Sequence, residues 1–343
     1  MNPHSQLVNI CSAFLAPSII TSTEYLVNGL SNDNFLIRTD TQSYLLKCYQ
    51  SYWPELALQA QCELSKQQVC PAPIWLDKQN KRAAFNYIEG EVAESYLAMP
   101  LLAKLVKVHA HTTDTQTMNI ALELQAYRHL LVFKEFDKHI DKVLKSIANM
   151  PIEHGFCHND LVKENIVVNP QGVYLIDFEY AQKNDVYFDL AALAVSFNLD
   201  SATKHALLKS YQAYTPSEQF YLSMHKLECY QIVYLLLCIG WYEQRAINNK
   251  VVVLRAQLDE LIASVGSYSP PKRSASSLYF ATSSASNCIS PLSSSDLAIN
   301  KLSRARRLTR SAFTPKNSAT CSVDINFIIT SSCLIFPSSD NNR

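Results

Sequence analysis

Apolar and polar residues alternate with a period of two over residues 22–50, the pattern of strands that bury one face. The runs are Tyr25–Val27, Asn34–Arg38 and Ser43–Tyr49, and the segments between them, Gly29–Asp33 and Asp40–Gln42, have turn composition. Pro54 opens a stretch to Gln68 with Leu56, Ala60, Glu63 and Leu64 at helical spacings, and Pro71 and Pro73 stop it. Ala72–Leu76 and Ala83–Ile88 then read as two further short strands. Beyond Gly90 the period becomes helical, with Leu101, Leu102, Leu105, Val106 and His109 on one stripe and a second stripe over Phe136–Ile147. Short strands return around a polar loop over residues 156–177, and helical patterning resumes over Leu190–Phe197, Ala202–Tyr214 and Phe220–Ala246. The pattern predicts an α+β chain of two lobes. Residues 1–90 form a small antiparallel lobe with one helix, and residues 91–266 form a larger, mainly helical lobe, with a cleft between them.

Residues 267–343 differ in kind. Twenty serines are scattered over them without helical or strand period, and Lys301–Arg310 is a basic run. Such a segment buries too little apolar surface to offset its ordering entropy, so a disordered, solvated tail is expected. Charge separates the same two parts. Residues 1–266 carry 21 Lys and Arg against 27 Asp and Glu, a net −6, and residues 267–343 carry 9 against 3, a net +6. With a formal net charge of zero overall, no bulk electrostatic footprint points to nucleic acid or a membrane surface, and a solvated tail is favoured over a nucleic-acid contact by the basic run. The most apolar run, Ile232–Trp241, is about half the roughly 20 residues that span a bilayer. Ten cysteines without a CxxC pair, and an opening Met1–Ser5 with no secretory pattern, fit a reducing cytoplasm.

The chemistry concentrates in His158-Asn159-Asp160 through Asn165, followed by Asp177-Phe178-Glu179. Phosphoryl transfer from Mg-ATP needs one carboxylate for the attacking hydroxyl, another to hold metal against the phosphates, and an amide at a second metal position. Asp160, Asp177 and Asn165 supply that set: Asn165 lies five positions after Asp160, and Asp177 twelve positions after Asn165. Asn169–Gly172 between two apolar runs reads as the turn of the connecting hairpin. In this reading Asp160 is the catalytic base, His158 shapes its loop, and Asn165 and Asp177 bind Mg2+.

The stretch CHNDLVKENIVV…YLIDFEYA resembles the aminoglycoside phosphotransferase and choline kinase superfamily, relatives of protein kinases. Within it, IDFEYA is most similar to choline/ethanolamine kinases and bacterial thiamine kinases. The resemblance covers roughly residues 20–265 and implies a kinase-like fold and ATP as donor. It places Ser31 and Asn32 in the turn that covers the phosphates and Lys47 on the strand whose lysine reaches them. It also implies a helix glutamate paired with Lys47, for which Glu63 is the choice and Glu55 the alternative. Tyr87 and Ile88 resemble the hinge that receives adenine. Asp189 and His109 also match family positions, Asp189 as a cap or brace for the catalytic loop and His109 as a packed helix histidine.

For the phosphate acceptor, Tyr230, Tyr234, Trp241, Tyr242 and Glu243 share one predicted helix, and Glu179 and Tyr180 adjoin the metal site. Aromatic faces with carboxylates suit a small cation. Glu179, Trp241 and Glu243 are therefore the candidate acceptor residues, and choline, ethanolamine or thiamine the expected acceptor class. An aminoglycoside or sugar hydroxyl is the alternative, and a pseudokinase-like binding protein is the non-enzymatic one. Nothing in the pattern sets an oligomeric state.

Overall fold

A computed structural model describes residues 3–27, 31–96, 98–215 and 220–266. The serine-rich tail and the Gly29-Leu30 part of the first turn lie outside the described residues.

The first lobe opens with a helix, α1 (Pro3–Cys11), and then β1 (Ile20–Leu26), β2 (Asp33–Thr39) and β3 (Ser43–Cys48). After α2 (Glu55–Lys66) come β4 (Pro73–Asp77) and β5 (Arg82–Asn86), and the five strands form one antiparallel sheet in the order β1-β2-β3-β5-β4. Alternation along β3 sends Tyr44 and Leu46 to one face and Leu45 and Lys47 to the other. Tyr44 and Leu46 join Ile37, Ala84, Cys11 and Leu15 in a small core, which α1 and the residues after it cover. Sequence pattern predicted a single helix in this lobe. The additional α1 is only nine residues long, and its apolar side has meaning only against the back of a sheet already formed.

On the opposite face α2 is a wedge. Its Leu58 packs with Tyr49, Ala83 and Phe85 of the sheet, whereas Ala57, Ala60 and Leu64 enter the large core of the second lobe. Small residues on that side let the helix approach both lobes closely.

The second lobe begins with β6 (Glu91–Val92) and continues through α3 (Ala98–His109), α4 (Ile120–Tyr127), α5 (Leu131–Ala148), β7 (His154–Cys157), β8 (Ile166–Asn169), β9 (Gly172–Leu175), β10 (Gln182–Asp185), α6 (Tyr187–Ser196), α7 (Ser201–Tyr214), α8 (Met224–Gln244) and α9 (Asn248–Gly266). β8 and β9 form the expected hairpin, β6 pairs with β8, and β7 pairs with β10. At its centre lies α8, packed by α4, α5, α6 and α9, and apolar on nearly every side as a surrounded helix must be. Among the described residues no helix is long and apolar enough to cross a membrane, and the cysteines are free thiols.

Gly240 is where α4 touches α8. A Cβ there would lie 2.5 Å from Cγ of Tyr127, an atom too close to its own backbone to swing aside. Helix propensity favours Ala over Gly by about 1 kcal/mol, but overpacking costs about 1–3 kcal/mol. Gly240→Ala is therefore expected to be net destabilising, read as a lower urea midpoint at unchanged m-value.

Candidate active site

The loop after β7 is held by one carboxylate. Asp189, buried in the first turn of α6, accepts the backbone N–H of His158 at 2.7 Å and that of Asn159 at 2.8 Å. His109 on α3 reaches the same carboxylate through Nε2 at 3.0 Å, and its Nδ1 lies 2.7 Å from the Tyr211 hydroxyl. His109, Cys157 and Asp189 could be read as a metal cluster. Both imidazole nitrogens and both carboxylate oxygens are instead engaged in bracing the loop.

That brace holds Asn159 in the left-handed region, at φ 62°. Asparagine tolerates this conformation better than most residues. Its side-chain N–H donates to the carbonyls of Tyr180 at 3.0 Å and Gln182 at 3.3 Å, tying the loop to the segment beyond Asp177. The result aims Asp160 at Asn165, whose Nδ2 donates to the Asp160 backbone carbonyl at 2.8 Å and to Oδ2 at 3.1 Å. With its amide N–H so used, Asn165 presents Oδ1, which is buried without a hydrogen-bond partner.

Asp177 follows β9 and is also left-handed, at φ 64°. A non-glycine residue there costs about 1–3 kcal/mol and persists only where its surroundings over-determine it. Two bonds do so: Ile176 N–H donates to Asn165 O at 3.0 Å, and His158 Nε2–H donates to Ile176 O at 2.8 Å. The His158 ring also packs on Phe178, with centroids 4.6 Å apart. Burial lowers the His158 pKa and keeps the ring neutral. His158 is thus a bolt between the two loops that carry Asp160 and Asp177.

Across the cleft, Lys47 makes an ion pair with Asp177 and a second with Glu179 at 3.0 Å. Burial alone would lower the ammonium's pKa, but the Asp177 and Glu179 carboxylates override it and hold the pKa above its ordinary value. Asn32 donates to the Glu179 carboxylate, and Gln50 N–H donates to Asn32 Oδ1 at 3.1 Å. The Tyr180 hydroxyl lies 3.4 Å from Ser31 Oγ. Ser31 and Asn32 of the first turn therefore rest on the segment after Asp177.

The helix glutamate is a correction. Glu63 lies 3.9 Å from His111 Nδ1 with its side chain 65% exposed, and Glu55 pairs with Lys78 at 2.6 Å. Neither faces Lys47. The inward side of α2 is Ala57, Leu58, Ala60, Gln61 and Leu64, and Glu63 is two residues, roughly 200°, around the helix from Gln61. Gln61 lines the cleft and donates to Pro71 O at 3.1 Å.

Beside Lys47 is an apolar slot walled by Leu45, Phe85, Ile88, Val167 and Ile176, with Tyr87 at its edge. The Tyr87 N–H extends the sheet, donating to Ser43 O at 3.1 Å. Gly90 closes the segment: a Cβ there would meet Val168 O at 2.6 Å, so only glycine lets the chain lie against β8.

The aromatic residues of α8 depart from expectation. Trp241 is completely buried, with the Arg245 guanidinium over its ring at 3.8 Å and Tyr242 edge-on at 4.9 Å. Tyr230 and Tyr234 pack against Tyr187 and Phe188. Helical spacing had grouped these residues with Glu243 as acceptor ligands. Because α8 is surrounded, its aromatics fill the core instead. Beside the segment after Asp177 lies a cavity of about 500 Å3 bounded by Tyr52, Trp53, Leu122, Glu123, Glu179 and Tyr180. Glu179 lines it, but its carboxylate is committed to Lys47 and Asn32. Glu123, on the short α4, has no periodic signal of its own in the sequence; the only local cue is Asn119, which caps the helix by accepting Leu122 N–H at 3.1 Å.

Solved structures similar to this arrangement of lobes include choline and ethanolamine kinases. The choline kinase LicA from Streptococcus pneumoniae is similar with a TM-score of 0.64 at 22% identity, covering 77% of this chain and 100% of that one. LicA in complex with AMP has a TM-score of 0.58 at 21% identity, covering 77% and 99%. Similar structures also include a choline/ethanolamine kinase family protein and aminoglycoside phosphotransferases. The fold is kinase-like. A LicA homolog of Mycoplasma capricolum subsp. capricolum is 24% identical over 193 residues, 51% of this chain and 79% of that protein. Residues 23–221, more than half of the chain, match the phosphotransferase enzyme family, and the chain belongs to it.

Proposed function

We propose that this protein is an ATP-dependent kinase that phosphorylates a hydroxyl group of a small cationic metabolite of the choline, ethanolamine or thiamine type. The observation that carries the reading is the convergence of Asp160, Asn165, Asp177 and Lys47 on one cleft, beside an apolar slot of adenine character. In this mechanism the acceptor oxygen attacks the γ-phosphorus, the bond to the β-phosphate oxygen breaks, and ADP leaves. Asp160 orients the hydroxyl and takes its proton. Lys47 meets the phosphates, and the Ser31-Asn32 turn covers them. The partnerless Asn165 Oδ1 and the Asp177 carboxylate are hard oxygen donors suited to Mg2+. When bound there, the ion would offset charge on the phosphates. Residues 1–90 would serve as the nucleotide-binding lobe and 91–266 as the catalytic and acceptor-binding lobe.

Support for a cationic acceptor comes from the net −6 of residues 1–266, from an acidic and aromatic cavity beside the cleft, and from relatives that are choline kinases. The test is acceptor-dependent ADP release by the purified protein with Mg-ATP. Choline, ethanolamine and thiamine are compared with several aminoglycosides. Release with at least one of the three cations and none with aminoglycosides is expected. Release with aminoglycosides alone would favour the alternative acceptor, and nucleotide binding without release would favour a pseudokinase.

A further inference from the structure

Besides the Tyr187 hydroxyl, α6 carries two polar side chains, Asp189 in its first turn and Ser196 at its end. Both accept backbone N–H groups of one loop. Asp189 takes those of His158 and Asn159, and Ser196 Oγ takes that of Lys163 at 2.7 Å. They are seven positions apart, nearly two full turns at 3.6 residues per turn, so they share one face of α6 roughly 10 Å apart along its axis. A single helix, itself packed on α8, therefore holds the catalytic loop at both ends.

The second hold has a local cause. Lys163–Asn165 is a single 3-10 turn, and the first N–H groups of such a turn have no partner within it. A serine, threonine, asparagine or aspartate just before the turn would ordinarily supply a cap. That position is Val162, an apolar and buried side chain that supplies none. Ser196 provides the missing acceptor from another helix. Helix propensity gives no reason for a serine there, since alanine is the better helix former.

The capped turn ends on Asn165. Its N–H donates to Val162 O at 2.9 Å, and its own carbonyl accepts the Ile176 N–H, next to Asp177, at 3.0 Å. A displacement at Lys163 is therefore passed to Asn165 and to the residue before Asp177, the two proposed metal ligands. Asp160 is less affected, because Asp189 holds the other end of the loop through His158 and Asn159. We propose that Ser196 is a positioning residue for the metal: by capping the Lys163–Asn165 turn from α6, its hydroxyl sets the place of Asn165 as a ligand to Mg2+. The inference rests on the metal-site part of the reading above, and on no particular acceptor.

Ser196→Ala tests the assignment in the full-length protein. Amide hydrogen exchange without metal reads the cap: the peptide bearing the Lys163 N–H should exchange roughly two- to tenfold faster, the span of one lost hydrogen bond. Mn2+, the probe for Mg2+, is titrated by electron paramagnetic resonance in the presence of a non-hydrolysable ATP analogue. Its dissociation constant should rise about tenfold, as for loss of a group that orients a metal ligand. In turnover, the variant should need correspondingly more free Mg2+ for half-maximal rate, with kcat at saturating Mg2+ and KM for the acceptor close to wild type. Ser196→Thr keeps the hydroxyl and should restore all of these, and the destabilised Gly240→Ala should leave Mn2+ affinity unchanged. Equal Mn2+ affinity in wild type and Ser196→Ala overturns the inference, since the bond would then be structural only. Weaker affinity without faster exchange at Lys163 also overturns it, as does a wild type that binds no Mn2+ with the analogue. If wild type turns over no alcohol yet Ser196→Ala loses both Mn2+ affinity and exchange protection, the kinase reading fails and the positioning assignment stands. Should Ser196→Ala not fold, Ser196→Cys, whose sulfur is a weak acceptor, carries the same comparison.

Discussion

Asp160→Asn is expected to lower kcat by about 10^2–10^4-fold, the range for loss of a positioned proton acceptor, with KM for ATP little changed. The substitution removes the charge and keeps the shape. Asn165 Nδ2 still finds the residue-160 backbone carbonyl, 2.8 Å away, and an amide oxygen in place of Oδ2. His158 and Asn159 remain clamped by Asp189, so the loop retains its course. Single-turnover rates at saturating Mg-ATP and acceptor isolate the chemical step. A kcat within threefold of wild type would remove Asp160 from the mechanism. A comparable drop arising only from a raised KM for ATP would assign it to nucleotide binding instead.

The largest stability effect is expected far from the nucleotide. Lys226, in the first turn of α8, is 1% exposed; its Nζ lies 2.6 Å from Asp185 Oδ2 and 2.6 Å from the Pro151 carbonyl, and 4.4 Å over the Tyr187 ring. Lys226→Met fills similar volume but leaves Asp185 buried and uncompensated. Asp185 retains the N–H groups of Tyr187 and Glu153, which soften the loss without replacing the charge. Breaking a buried pair from one side typically costs about 3–5 kcal/mol, against a total stability of about 5–15 kcal/mol for a domain. Urea unfolding should show it directly. Asp185→Asn in the Lys226→Met background should recover part of the loss, because the stranded charge is gone. A Lys226→Met change below 1 kcal/mol would mean that water reaches Asp185 in the folded state.

Several features were legible because they depend on local spacing. The period-two pattern of β3 places Lys47 opposite the face that packs beneath α1, whatever else the chain does. The β8–β9 hairpin and the residues on either side carry Asp160, Asn165 and Asp177 within eighteen consecutive positions, so their meeting requires little long-range assembly. The Asp189 brace was readable only as a cap or brace by resemblance, because its partners lie 30 and 80 positions away.

What the sequence by itself determined is the α+β order of elements and the cluster around His158–Asp177, since both follow from periodicity and short-range chain geometry. Tertiary structure alone decided which charge meets which. Glu63 and Gln61 are two positions apart, and only the docking of α2 between the lobes turns Gln61 inward and leaves Lys47 to Asp177 and Glu179. The aromatic stripe of α8 has the same periodicity whether it faces a ligand or a core, and the helices packed around it made it core. Ser196 could be singled out only once α6 had been set against the catalytic loop, because the N–H it caps lies 33 positions before it in the chain.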